Sequence, residues 1–186
     1  MSDQMRMPKT FGHLDTDRSI GKFILLDLLT SGVYGLVIMT ILSIDINTIA
    51  RPHDGKKTMN YCLMMFLVAP LTLGIGAFVW YHNLSKRMQD ELGRRNITPA
   101  FKLSWFWHWC VLWGVIIALP LVASIAFLVM EVISWGTTGY AGMILPLGIL
   151  TAVLMCLVPI GRYVYLHKLF KAMNALAADF NLEENT

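Results

Sequence analysis

Charge is what this chain has least of. Of its 186 residues only 15% are charged and 56% are hydrophobic, where an ordinary soluble domain runs at roughly 25% and 45–50%. The net charge of +3 is far from the basic excess of a nucleic-acid binder, so no nucleic-acid partner is expected. Cysteine is scarce too. Cys62, Cys110 and Cys156 are odd in number, widely spaced and embedded in apolar runs. That pattern excludes a disulfide framework and a zinc site, and reads as inert packing. The chemical motifs are also missing. There is no phosphate-cradling Gly-Lys-Ser/Thr loop, no Gly-x-Ser-x-Gly elbow, no His-Glu-x-x-His and no Cys-x-x-Cys. The expectation is a protein that is not an enzyme and carries no metal or cofactor.

What the chain does have is long apolar stretches, with a mean hydropathy of +0.57. Four runs match the roughly 20 helical residues needed to cross a bilayer. They are Phe23–Ile44, Met59–Tyr81, Trp105–Val132 and Ala141–Leu166. None alternates as a barrel strand does, so all are expected to be helices. The fold class predicted is all-α: a polytopic transmembrane bundle of about four spans. A polar tail, residues 1–22, precedes it, the bundle covers 23–166, and an amphipathic tail fills 167–186. The tail before Phe23 is polar and mixed in charge, so the first run is expected to stay as a span and not to be cleaved. Pro70, Pro120, Pro146 and Pro159 fall inside runs and predict kinks.

Lys and Arg set the orientation. The N-terminal tail holds four, the second inter-run segment five and the C-terminal segment three. The first loop holds Arg51, Lys56 and Lys57, and the third holds none. Both termini inside the cytoplasm gives twelve inside against three outside. The first loop is then outside, where Lys56 and Lys57 run against the rule. Rings support the boundaries. Trp105, Phe106, Trp107 and Trp109 cluster at one, Trp80 and Tyr81 at another, and Trp135 and Tyr140 flank the third loop.

The chain also resembles itself. Ile75 to Gln89, shifted by 85 residues, meets Ile160 to Asn174, with Ile, Gly, Val, His, Leu, Lys and Met in register. A weaker copy lies earlier. Leu29-Thr30-Ser31-Gly32-Val33 parallels Leu71-Thr72-Leu73-Gly74-Ile75, and Val37, Leu42 and Ser43 match Val79, Leu84 and Ser85. The unit reads as a membrane helix with a small-residue bend that continues into an amphipathic cytoplasmic extension. Leu84, Met88 and Leu92 form one stripe; Leu166, Leu169, Phe170, Met173 and Leu176 form another. The two extensions are expected to pack together or lie side by side on the cytoplasmic surface.

Few residues are candidates for chemistry. Asp27 lies among leucines and Glu131 near the end of the third run; each is a possible ion or proton site, or a helix-end or packing group. His82 and His167 occupy equivalent repeat positions and form a possible interfacial histidine pair, or mark helix ends at the headgroups. His13, His53 and His108 read as solvated or interfacial. Asp45 and Asn47 read as capping or solvating the end of the first repeat.

The Leu-Thr-x-Gly-Val-Tyr-Gly run at Leu29–Gly35, the Leu-Thr-Leu-Gly-Ile run with Trp80, and the extension with Asp45-Ile46-Asn47 resemble the bacterial family catalogued as domain of unknown function 4234. That family is marked by repeated Thr-x-Gly-Ile-Tyr-x-x-x-Trp helices. The resemblance covers Arg18 to Asn96, with an echo at Ile160 to Asn174; Ile38 replaces the Trp in the first copy and Gly76 the Tyr in the second. It implies a small bacterial inner-membrane protein and supplies no catalytic residues. Three functions stay open: a binding, assembly or accessory subunit of a membrane complex; a small ion or solute transporter or channel using Asp27; and an immunity-type membrane protein. The expected partners are the lipid bilayer and either another protein or further copies of this chain.

Overall fold

The computed structural model describes residues 13–98, 101–111, 114, 122–123, 125–126, 129 and 141–184, with backbone alone over 141–159 and at 184. Every element among the described residues is helical, as the pattern of the sequence requires. The chain divides into two units, one of residues 1–101 and 169–186, the other of residues 102–168.

In the first unit α1 is Ile20–Leu29, α2 is Val33–Asp54, α3 is Tyr61–Leu71 and α4 is Ile75–Arg94. Of the described helices, α2 alone is long and apolar enough to cross a membrane. The first two expected spans are therefore not single helices. Phe23–Ile44 breaks at Thr30–Gly32 and Met59–Tyr81 at Thr72–Gly74. Each break is a full reversal, not a bend. The Phe23 ring lies 6.1 Å from that of Tyr34, and Arg18 pairs with Asp45. Likewise Trp80 Nε1 donates to Met59 O at 2.7 Å, and the Tyr61 and Tyr81 hydroxyls meet at 3.0 Å. The first unit thus contains two helical hairpins.

The two reversals share their geometry position by position. Ser31 and Leu73 each take φ 51°, and the glycines that follow take φ 91° and 89°. Gly32 N–H donates to Asp27 O and Ser31 N–H to Leu28 O; Gly74 N–H donates to Ala69 O and Leu73 N–H to Pro70 O. This is the paired bonding of a Schellman helix end. The threonine does the rest. Thr30 Oγ1 donates to Leu26 O at 2.7 Å and accepts from Tyr34 N–H at 2.9 Å. Thr72 Oγ1 donates to Val68 O at 2.7 Å and accepts from Gly76 N–H at 2.8 Å. One hydroxyl so serves the last turn of the incoming helix and the first turn of the outgoing one.

A helix start leaves four amides without partners, and here none is left over. Val33 N–H goes to Thr30 O, Tyr34 to Thr30 Oγ1, Gly35 to Asp27 Oδ1 and Leu36 to Gly32 O. Ile75 goes to Thr72 O, Gly76 to Thr72 Oγ1, and both Ala77 and Phe78 to Gly74 O. Within α3 the turn widens to a π-helix over Met64–Val68, which ends two residues before Pro70. The missing amide of Pro70 leaves the Phe66 carbonyl without its α-helical donor, the usual origin of such a widening.

The core of this unit lies away from the reversals. Phe23, Met39, Leu42, Ile46, Ile49, Met64, Leu84, Met88 and Leu92 are buried, together with Leu169, Phe170, Met173 and Leu176 from the last helix. The stripes foreseen on both amphipathic segments are buried faces. Phe23 meets Phe170 edge-on at 5.2 Å. Toward the reversals the apolar side chains stand exposed, Leu73 at 94%, Leu28 at 78% and Leu71 at 77%.

The second unit contains a helix over 104–111 (α5) and the first part of Ala141–Glu184 (α6), a helix that runs on into the first unit. Trp109 stacks on Tyr165 at 5.1 Å, Phe106 meets Tyr165 edge-on, and Lys168 Nζ stands 5.0 Å over the Trp105 ring. α6 continues through Pro146 and Pro159 without a break; Pro120 lies outside the described residues.

Replacing Thr72 by Val keeps the shape but strands the Gly76 amide. Thr72→Val is expected to cost about 1–2 kcal/mol, read as a lower melting temperature in detergent. Thr48→Val, which removes only a back-bond to Ile44 O, should change stability by less than about 0.5 kcal/mol.

Candidate functional site

The polar groups gather at the end of the first unit opposite the reversals. Their centre is Arg87, buried on the same face of α4 as Leu84 and Met88. All five guanidinium N–H groups are used. Nε and Nη2 grip the two Asp54 oxygens at 2.6 and 3.0 Å. Nη1 donates to Asn47 Oδ1 at 2.5 Å and Thr58 Oγ1 at 2.8 Å, and Nη2 also to Lys56 O at 2.7 Å. Arg87 thereby ties the loop between the hairpins to α2 and α4.

Asparagine repeats one device three times. Asn47 accepts from Thr58 N–H at 2.6 Å and donates to Thr58 O at 2.8 Å. Asn174 accepts from Arg18 N–H at 3.2 Å and donates to Arg18 O at 3.0 Å. Asn181 does the same to Leu14, at 2.9 Å each way. A side-chain amide carries a donor and an acceptor in the spacing of a peptide group, so each pair holds an extended segment as a neighbouring strand would. Asn174 and Asn181 are seven residues apart, on one face of α6, and hold the segment before α1 against it. Arg18 then pairs with Asp45, both side chains buried.

The third cluster centres on Glu91, also buried. It accepts from Arg94 at 2.5 and 3.1 Å and from Arg95 at 2.9 Å, with His53 Nδ1 3.5 Å away. Arg95 reaches on to Asp179 at 2.6 Å and Glu183 at 2.8 Å. The end of α4 is thus bound to the last helix. Burial alone would raise the Glu91 carboxyl, but the bonds from Arg94 and Arg95 outweigh it and hold it below its ordinary value.

The sequence candidates fall differently. Asp27 is half-buried on α1, and its Oδ1 accepts from Gly35 N–H at 2.8 Å. A Cβ on Gly35 would stand 2.5 Å from that oxygen, so the glycine is what lets the carboxylate reach the helix start. Glu131 lies outside the described residues. His82 is half-buried on α4 in the first unit, and His167 is exposed on α6 in the second. His13 Nδ1 accepts from Asn181 Nδ2 at 2.8 Å, and His53 sits 3.0 Å from Arg94, so neither is simply solvated. Asp45 and Asn47 are buried or half-buried partners of Arg18, Thr58 and Arg87, not solvated helix ends. Cys62 bonds Thr40 at 3.2 Å, and Cys110 is a half-buried free thiol. Among the described residues no three His, Cys, Asp or Glu side chains gather as metal ligands.

Arg18, Arg87, Glu91, Arg95, Asn174 and Asn181 were missed from the sequence. One signal was present. Leu84, Arg87, Met88, Glu91, Leu92 and Arg95 follow helical spacing i, i+3, i+4, i+7, i+8, i+11, which sets three charges on the apolar stripe.

Residues 18–90 match the family described as Domain of unknown function (DUF4234). No curated protein and no solved structure matches the chain.

Two outcomes follow from the clusters. Arg87→Met leaves Asp54, Asn47 and Thr58 without their shared donor and is expected to cost about 3 kcal/mol in chemical unfolding. The Glu91 contribution to stability is complete above its ordinary titration near pH 4.5 and is lost as the pH falls toward the lower folded value. A melting curve against pH should decline below about pH 4.5, and the Glu91→Gln variant should decline less steeply.

Proposed function

We propose that this chain is an integral protein of the bacterial inner membrane, multi-pass and with both termini cytoplasmic. It acts without catalysis, as a binding, assembly or accessory subunit of a membrane complex. The observation that carries this reading is how the ionisable side chains of the first unit are used. Arg18, Asp45, Asp54, Arg87, Glu91 and Arg95 are engaged with one another and with backbone, as structural ties. The exposed apolar side chains of α1 to α4 supply the surface for lipid. The family of residues 18–90 and the apolar runs Trp105–Val132 and Ala141–Leu166, read as crossings, support the membrane setting.

The test is purification from the native membrane in a gentle detergent, with quantitative mass spectrometry of what accompanies the chain. A stoichiometric partner that is absent from a strain lacking this chain supports the reading. A lone species or homo-oligomer that carries ion flux in liposomes overturns it in favour of transport. Asp27→Asn separates the two further, because the amide oxygen can still accept from Gly35 while the charge is gone. Transport predicts loss of flux in that variant, and the subunit reading predicts an unchanged complex.

A further inference from the structure

We infer that the two helical hairpins do not cross the bilayer but enter one leaflet from the side on which the N-terminal segment lies, with Thr30–Gly32 and Thr72–Gly74 as their buried tips. This rests on the membrane reading above and replaces its topology over residues 18–94. The first argument is where the hairpin ends meet. The N-terminal segment reaches α2 at Asp45 through Arg18, and the loop between the hairpins reaches it at Asn47 through Thr58. Two residues of helix separate those contacts by about 3 Å. A pair of true crossings would set the two segments on opposite sides of about 30 Å of hydrocarbon.

The second argument is reach. Asp45 stands 12 residues beyond Val33 along α2, about 18 Å of helix. α1, with 10 residues, spans about 15 Å. Either length enters a bilayer and stops short of the far side. α2 qualifies as a crossing by length and composition, yet its second half carries Asp45, Asn47, Arg51 and Asp54 in or beside the polar cluster. Its uncharged part is Val33–Ile44.

The third argument is the tips themselves. Backbone placed in hydrocarbon must find its partners within the protein. Both tips do so for all four amides of the helix that follows, through Thr30 and Thr72, the glycine carbonyls, and Asp27 in the first hairpin. Around them stand Leu28, Leu29, Val33, Leu71, Leu73 and Ile75, all exposed. Trp80, with its N–H bonded to Met59 O, and Tyr61 and Tyr81 lie where exposure gives way to the buried core, the level at which amphipathic rings settle. Charge agrees. With the first loop on the same side as the N-terminal segment, Arg51, Lys56 and Lys57 join the other twelve, and all 15 basic residues share the cytoplasmic side.

Single cysteines test this in a background carrying Cys62→Ser, Cys110→Ala and Cys156→Ala. Asp17→Cys, Lys57→Cys and Leu73→Cys are each exposed to a membrane-impermeant maleimide in intact spheroplasts and in inside-out vesicles. Lys56→Cys duplicates the loop position. The expected result is that positions 17 and 57 label in the vesicles and not in the spheroplasts, while position 73 labels only after detergent is added. Labelling of 17 and 57 from opposite sides overturns the inference and leaves an integral membrane protein. So does labelling of 73 in either preparation without detergent. Release of the chain from membranes by alkaline carbonate overturns the membrane reading itself, and this inference with it.

Discussion

A chain that reverses direction among leucines has to keep its own backbone satisfied, and the rest of the first unit is arranged around how Thr30–Gly32 and Thr72–Gly74 do so. An unpartnered amide in an apolar setting costs a few kcal/mol, and two helix ends meet at each reversal. The threonine hydroxyl is suited to the task because it donates and accepts at once. Serine would supply the same bonds, but the β-branch of threonine restricts its rotamers and so holds the hydroxyl in place. The residue after it must take positive φ, and so must the next. Glycine occupies the second position in both copies, whereas Ser31 and Leu73 occupy the first. Leu73 at φ 51° carries local strain, and at 94% exposure it has almost no contact within the chain to offset it. Its side chain belongs to whatever surrounds the tip.

The other end of the unit solves the opposite problem. Extended segments and a short loop have to be fixed where no sheet exists to pair them. Asn47, Asn174 and Asn181 each present one amide to one backbone residue, and Arg87 spends five donors on a single loop and its flanks. These are short-range, directional bonds with no slack, so they set the spacing of the hairpin bases. The carboxylates follow from that. Asp54, Asp45 and Glu91 neutralise arginines whose burial would otherwise be costly. Asp27 belongs to the tip instead, as the acceptor for a helix start whose positive end favours an anion.

Much of this was legible in the sequence, and the limits have physical causes. The helical class, the amphipathic stripe of Leu84, Met88 and Leu92, and the likeness of the two Thr-x-Gly runs were all readable. The reversals were not. The dip at Thr30-Ser31-Gly32 is only three residues long and carries no charge, and small residues of this kind are ordinary inside membrane helices. Hydropathy reports burial in lipid and is blind to direction. The side-chain clamps were hidden for a different reason. Asn174 and Leu14 to Arg18 are more than 150 residues apart in sequence, and nothing local to Asn174 says that it serves a distant backbone. The three charges in register with the apolar stripe are the local exception, because charges on a buried face require buried partners.

The 85-residue likeness shows how one substitution decides between the two outcomes. The positions of Thr72, Leu73 and Gly74 correspond to Leu157, Val158 and Pro159. Leucine has no hydroxyl to bridge two helix ends. Valine is disfavoured at positive φ by its branched side chain. Proline is locked near φ −65° and has no amide to close the turn, so it is barred from the φ 89° that Gly74 adopts. All three requirements of the reversal fail together, and α6 accordingly runs unbroken from Ala141 to Glu184. Downstream the likeness is retained: Leu84 and Leu169, Met88 and Met173, are all buried. Related amphipathic segments thus follow a hairpin in one case and an unbroken helix in the other, and the difference lies in three residues upstream of them.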